Sequence, residues 1–104
     1  MKSYRDLIVW QKSMNLVTLI YKLVLELPEN EKFGLTPQIK RSAISIPSNI
    51  AEGYGRNYRK DYSRFLQIAR GSLFENQRQI NFAVQYTALG KSDCFQYLSG
   101  CQDA

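Results

Sequence analysis

Between Gln38 and Arg56 one pattern leaves little choice of structure. Ile39, Ala43, Ile46 and Ile50 recur at steps of four, three and four, the spacing of one face of an α-helix. Gln38, Arg41, Ser45, Ser48 and Glu52 keep the same rhythm on another face. A strand, with its period of two, would scatter both sets over both of its sides. Pro47 lies inside the pattern, removes one backbone donor and predicts a kink. Gly53 and Gly55 predict the helix end, since glycine readily takes the left-handed conformation favoured there.

The flanking segments have the same period. A first helix is expected over about 4–27, with Leu7, Trp10, Met14, Val17, Tyr21 and Val24 in one seam. Leu16, Ile20, Leu23 and Leu27 form a second seam about 100° around the helix. So wide an apolar face fits a helix central in a bundle, or one that turns a seam to another subunit. Pro28 is expected to end it. Thr36 and Pro37 mark the next start, as a cap and a first helical residue, giving a second helix over 37–54. A third helix, about 60–89, carries Tyr62, Leu66, Ala69, Leu73, Asn76, Ile80, Ala83 and Thr87 in one seam, and Phe65, Ile68, Ser72, Glu75, Gln79, Phe82, Tyr86 and Leu89 in a second. Gly71 in its middle predicts close approach of a neighbouring helix, and Gly90 predicts its end. A short fourth helix, about 92–101, contains Phe95 and Leu98. No repeat, strand signal or long linker divides the 104 residues. The expectation is one all-α domain, an antiparallel up-and-down four-helix bundle with a short fourth helix.

Several chemistries lack their residues. The chain has no histidine, which removes the commonest general base and the commonest zinc ligand. No serine therefore has a histidine to activate it. Cys94 and Cys101 are seven residues apart, roughly 10 Å along a helix, too far for a bridge within it. Two reduced thiols are expected. Gly53-Tyr54-Gly55-Arg56 lacks the spacing and the lysine–hydroxyl pair of a phosphate loop. Neither an enzyme, a cofactor nor a metal site is expected. The N-terminal residues lack the apolar core of a signal peptide, and Lys12, Asn15, Thr18 and Lys22 interrupt the first apolar run. A cytoplasmic protein without a membrane span is the expectation.

Two polar sets stand out. Glu75, Asn76 and Gln79 fall in the seams of the third helix, while Arg41, Ser45 and Glu52 lie on the second. Packed antiparallel, they predict a structural polar layer of Arg41, Glu52, Glu75 and Asn76, with Arg41 as the natural partner of a buried Glu52 or Glu75. The other set is basic. Residues 36–91 hold nine basic and three acidic side chains, whereas residues 1–35 balance to +1 and the tail from Ser92 to −2. Arg56, Arg59, Lys60, Arg64 and Arg70 alternate with Tyr54, Tyr58 and Tyr62 around the turn between the second and third helices. Arginine pairs with phosphate and tyrosine stacks on unpaired bases, so this rim reads as a nucleic-acid contact. It also reads as a solvated helix start whose rings pack on the bundle end. Cations at a helix N-terminus oppose its dipole, which favours the first reading.

Tyr4-Arg5-Asp6-Leu7-Ile8-Val9-Trp10-Gln11-Lys12 resembles the opening of the bacterial four-helix bundle family, also named after open reading frames in ribosomal-RNA intervening sequences. Gly34-Leu35-Thr36, then Gln38 to Ala43 and Ser45 to Arg56, is similar to that family's central signature. Phe65 to Leu73 with Glu75 is similar to its third-helix signature. Gln77 stands where the family commonly has a second glutamate, Arg78 replaces a smaller polar residue, and the fourth helix is shorter than usual. The resemblance implies an up-and-down four-helix bundle. It also implies a relation to the accessory variability proteins of diversity-generating retroelements: pentameric, positively charged barrels that bind nucleic acid and partner a reverse transcriptase. On that basis the expected contacts to RNA or DNA are Lys40, Arg41, Arg56, Tyr58, Arg59, Lys60, Arg64 and Arg70. The expected function is a self-associating, non-enzymatic bundle that binds nucleic acid non-specifically. The alternative is a structural or protein-interaction bundle.

Overall fold

A computed structural model of the chain describes the backbone of residues 3–27 and 34–102, and the side chains of residues 3–27 and 34–85. Every regular element in it is helical: a 3-10 turn at Tyr4–Asp6, then α1 (Ile8–Val24), α2 (Leu35–Tyr54) and α3 (Arg59–Gln102). Ser3 caps the 3-10 turn, accepting from Arg5 N–H at 3.1 Å, while the Asp6 carboxylate accepts from Ser3 N–H at 3.3 Å. Leu7 is extended (φ −72°, ψ 127°), so the expected first helix begins only at Ile8. The Gln11 side chain ties the two pieces together by donating to the Arg5 carbonyl at 2.9 Å.

α1 ends three residues sooner than its seam suggested. Leu25, Glu26 and Leu27 donate to the carbonyls three residues back, which tightens and ends the helix. The proline at 28 disfavours the α conformation at Leu27; its own expected role lies outside the described residues. α2 starts at Leu35 on Gly34, and Thr36 makes no cap. Pro37 falls at the third helical position, whose N–H has no partner in any helix, so the proline is tolerated there. α2 then passes through Pro47, whose ring is buried.

The end of α2 corrects the expected glycine role. Gly55 caps the helix at φ −75°, not in the left-handed region. Gly53 is inside the helix and is required by proximity: a β-carbon there would stand 2.7 Å from Phe65 Cβ. α2 and α3 therefore cross closely at their shared turn. From this point they run antiparallel in a fixed register. Residue numbers paired across the interface sum to between 115 and 121: Tyr54 with Tyr62, Gly53 with Phe65, Ser45 with Ser72, Ser42 with Asn76 and Gln79, Ile39 with Asn76.

α2 is the central element, packed by α1 on one side and α3 on the other. The wide face of α1 had pointed to α1 itself in that place. One part of the core gathers Ile20 and Val24 of α1, Ile39 and Ala43 of α2 and Ala83 of α3. The other holds Ile46, Ile50 and Ala69, with Leu7, Trp10 and Leu66 against them. Small residues on α2 and α3 let the backbones approach, so α2 can serve two neighbours at once.

The expected break at Gly90 and the separate helix over 92–101 are absent; α3 continues to Gln102. One interior glycine costs a helix only about 1 kcal/mol, and no proline occurs between Arg59 and Gln102. The described residues thus form three α-helices, with α3 outlasting α2 at its C-terminal end.

Candidate nucleic-acid interface

The α2–α3 turn gathers most of the basic residues singled out in the sequence. α2 ends where Gly53 meets Phe65, and α3 begins four residues after Gly55. This places Arg56, Tyr58, Arg59, Lys60 and Arg64 within two helical turns of one end of the molecule, all exposed. Tyr58 leaves 72% of its surface to solvent. Tyr54 and Tyr62 do not join it. Their rings meet edge to face at 6.2 Å and close the end of the hairpin.

Phe65 organises two of the cations. The guanidinium carbons of Arg56 and Arg64 stand 5.0 and 4.9 Å from its ring centroid, a contact that favours a cation over an aromatic face. Arg56 also donates to Glu52 at 2.7 Å, and Arg64 lies 3.9 Å from Asp61. Both pairs are exposed, so each contributes well under 1 kcal/mol and leaves the arginines open to exchange for another anion. Arg59 and Lys60 border a shallow recess with Ser63 and Gln67.

The other expected contacts lie elsewhere. Lys40 is near the start of α2, roughly 24 Å along the helix from Arg56. It is half-buried, with its ammonium 5.0 Å from the Tyr21 ring centroid. Arg70 is exposed about three turns into α3, against the ring of Phe74 at 5.4 Å. Arg41 is exposed in a polar groove between α2 and α3 that also holds Gln38 and Glu75.

Of the four residues expected in the polar layer, Asn76 forms it, joined by Ser42, Ser45, Ser72 and Gln79, while Arg41, Glu52 and Glu75 stay exposed. Asn76, 2% exposed, is its centre and donates to the Ile39 carbonyl at 3.0 Å and to Ser42 Oγ at 2.9 Å. Ser42 in turn donates to Gln79 Oε1 at 2.7 Å. Ser45 and Ser72 hydroxyls meet at 2.7 Å, and Asn49 donates to Ser45. Glu52 pairs with Arg56, one helical turn on, rather than with Arg41, and Glu75 accepts from Gln79 at 3.2 Å. Both glutamates are exposed, so neither needs a buried cation. The i,i+4 spacing of Glu52 and Arg56 was a signal available in the sequence. Gln79 was legible as a polar residue in a seam, whereas the parts played by Ser42 and Ser72 were not, because a small polar residue acquires meaning only once the facing helix is known.

Among the described residues no three histidine, cysteine, aspartate or glutamate side chains converge as metal ligands would. Among the described residues no helix is long and apolar enough to cross a membrane.

A family model described as 23S rRNA-intervening sequence protein matches residues 5–104. The chain belongs to that family. No curated protein matches it by sequence. The match covers the basic turn, the polar layer and the whole of α3, so these features belong to a 23S rRNA-intervening sequence protein rather than to an appended segment.

Proposed function

We propose that this protein is a non-enzymatic, self-associating helical bundle that binds nucleic acid without sequence preference through the α2–α3 turn. The observation that carries the reading is the convergence of Arg56, Arg59, Lys60 and Arg64 around the exposed ring of Tyr58. Four cations at one end of a small domain meet a phosphate backbone, and a projecting tyrosine offers an unpaired base a stacking surface. The reading therefore favours single-stranded or loop-containing RNA or DNA over a regular duplex. Membership of a family named for ribosomal RNA adds support. The resemblance to retroelement accessory proteins extends the proposal to a pentamer that assists a reverse transcriptase.

The test is binding of fluorescent single-stranded RNA, structured RNA and duplex DNA across a salt series. With four phosphates neutralised, log K should fall with log salt at a slope near −3 for a single strand. Changing Arg56, Arg59, Lys60 and Arg64 to Ala should flatten that slope and weaken binding. No binding at low salt overturns the reading.

A second reading rests on an apolar groove of about 280 Å³ between the C-terminal half of α1 and α3, floored by Ile39 and walled by Leu23, Leu27, Ile80 and Val84. A helix laid there would complete a four-helix bundle, and a protein partner's helix would serve as well as one from this chain. Association of that kind is insensitive to salt, which separates it from phosphate binding.

A further inference from the structure

The side of α3 turned away from α1 carries a stripe that neither the core nor the basic turn uses. Ile68, Gly71, Glu75, Arg78 and Phe82 recur at steps of three, four, three and four, so they share one face. All five are exposed, with Ile68 at 42% and Phe82 at 58%. The space over Gly71 is open: among the described residues nothing outside its own helix turn lies within 4 Å of where a β-carbon would stand. Among those residues, the neighbour that a mid-helix glycine predicts is therefore missing. Arg78 makes no ion pair among the described residues, and Glu75 keeps one carboxylate oxygen beyond its contact with Gln79.

We infer that this stripe is an interface with a second copy of the chain, paired antiparallel about a two-fold axis between residues 76 and 77. The inference deepens the self-association part of the proposed function and is independent of its nucleic-acid part. In such a pairing each residue faces the one whose number completes a sum of 153. Gly71 then faces Phe82 of the other copy, and Glu75 faces Arg78. Each contact occurs twice, as a two-fold interface requires. The stripe is also the alternating three–four seam of an antiparallel helix pair, in which first and fourth heptad positions face each other. A projecting ring meets a gap, and a cation meets an anion, with no residue moved along the helix.

The alternatives are disfavoured by the same residues. A parallel pair in register would set Glu75 on Glu75, Arg78 on Arg78 and Phe82 on Phe82, leaving the gap at Gly71 unfilled. A shift by one heptad would separate both charges from their partners. The ion pairs therefore select orientation and register, while Phe82 over Gly71 supplies the apolar contact. The contact closes at two copies. A five-membered ring would need a separate head-to-tail surface, and both together would give ten.

Sedimentation velocity over a concentration series, with circular dichroism to verify folding, tests this in the full chain. The wild type should associate to twice its mass of 12.1 kDa, or to ten copies if a ring also forms. Glu75→Arg and Arg78→Glu should each weaken association about tenfold or more, and the double reversal in one chain should restore it, because both pairs re-form with signs exchanged. Gly71→Leu should also weaken association while leaving the helix intact, since the added side chain enters open space and improves helix propensity. A strictly monomeric wild type overturns both the inference and the self-association reading. Association that ignores all of these substitutions overturns the inference alone.

Discussion

Asn76 donates twice from one amide, to a backbone carbonyl and a hydroxyl of the facing helix. Among the described residues no buried side-chain nitrogen or oxygen lacks a partner. Removing this amide would take away the donor to the Ser42 hydroxyl and one of those to the Ile39 carbonyl, and open a small void. Asn76→Ala should therefore destabilise the fold by about 2 kcal/mol in urea unfolding. The two interior glycines should respond oppositely. Gly53→Ala drives a β-carbon into Phe65, and overpacking should outweigh the gain in helix propensity, for a net loss of about 1–2 kcal/mol. Gly71→Ala meets no neighbour and should stabilise the folded monomer by up to about 1 kcal/mol. The sequence assigned these glycines the reverse duties, a helix end at 53 and close packing at 71. Composition marks where a side chain is missing, but only the facing helix shows whether the space is occupied.

α2 and α3 form the element that positions the site. Their shared turn sets the basic residues at one end, and the serine, asparagine and glutamine contacts hold the register. The described core draws on α3 through Ala69 and Ala83. Gly90→Pro should interrupt α3 and lower the helical circular dichroism signal by no more than about a fifth. A larger drop would show that the helix before residue 90 depends on the part after it. Helix existence was legible throughout, because a three–four seam survives any choice of neighbour. The boundary at Gly90 was not, because a glycine weakens a helix without ending it.

As a whole, the molecule carries a net charge of +5 and no histidine. Histidine is the side chain that ordinarily changes charge near neutral pH. Nucleic-acid binding and thermal stability should therefore be nearly flat between pH 5.5 and pH 7.5, about the window in which a histidine would titrate. A steep change over that range, measured at constant ionic strength, would show that some other group titrates at the interface. The candidate site was partly legible. Arg56, Tyr58, Arg59, Lys60 and Arg64 are neighbours in the chain, and one turn keeps them neighbours in space. Arg70 was grouped with them by charge, and Lys40 and Arg41 through the family resemblance, and helix length separates all three from the turn.

The amino-acid sequence by itself determined the all-α class, the faces of the helices, the basic turn and the absence of histidine chemistry. Each of these follows from residue type and local spacing. Tertiary structure alone decided that α2 rather than α1 is central, that Asn76 rather than Arg41 anchors the polar layer, and that Gly53 rather than Gly71 marks a close crossing. Those outcomes depend on which residues about 12 to 37 positions apart come to face each other. That register is set by packing over the entire interface, and no local stretch of the chain contains it.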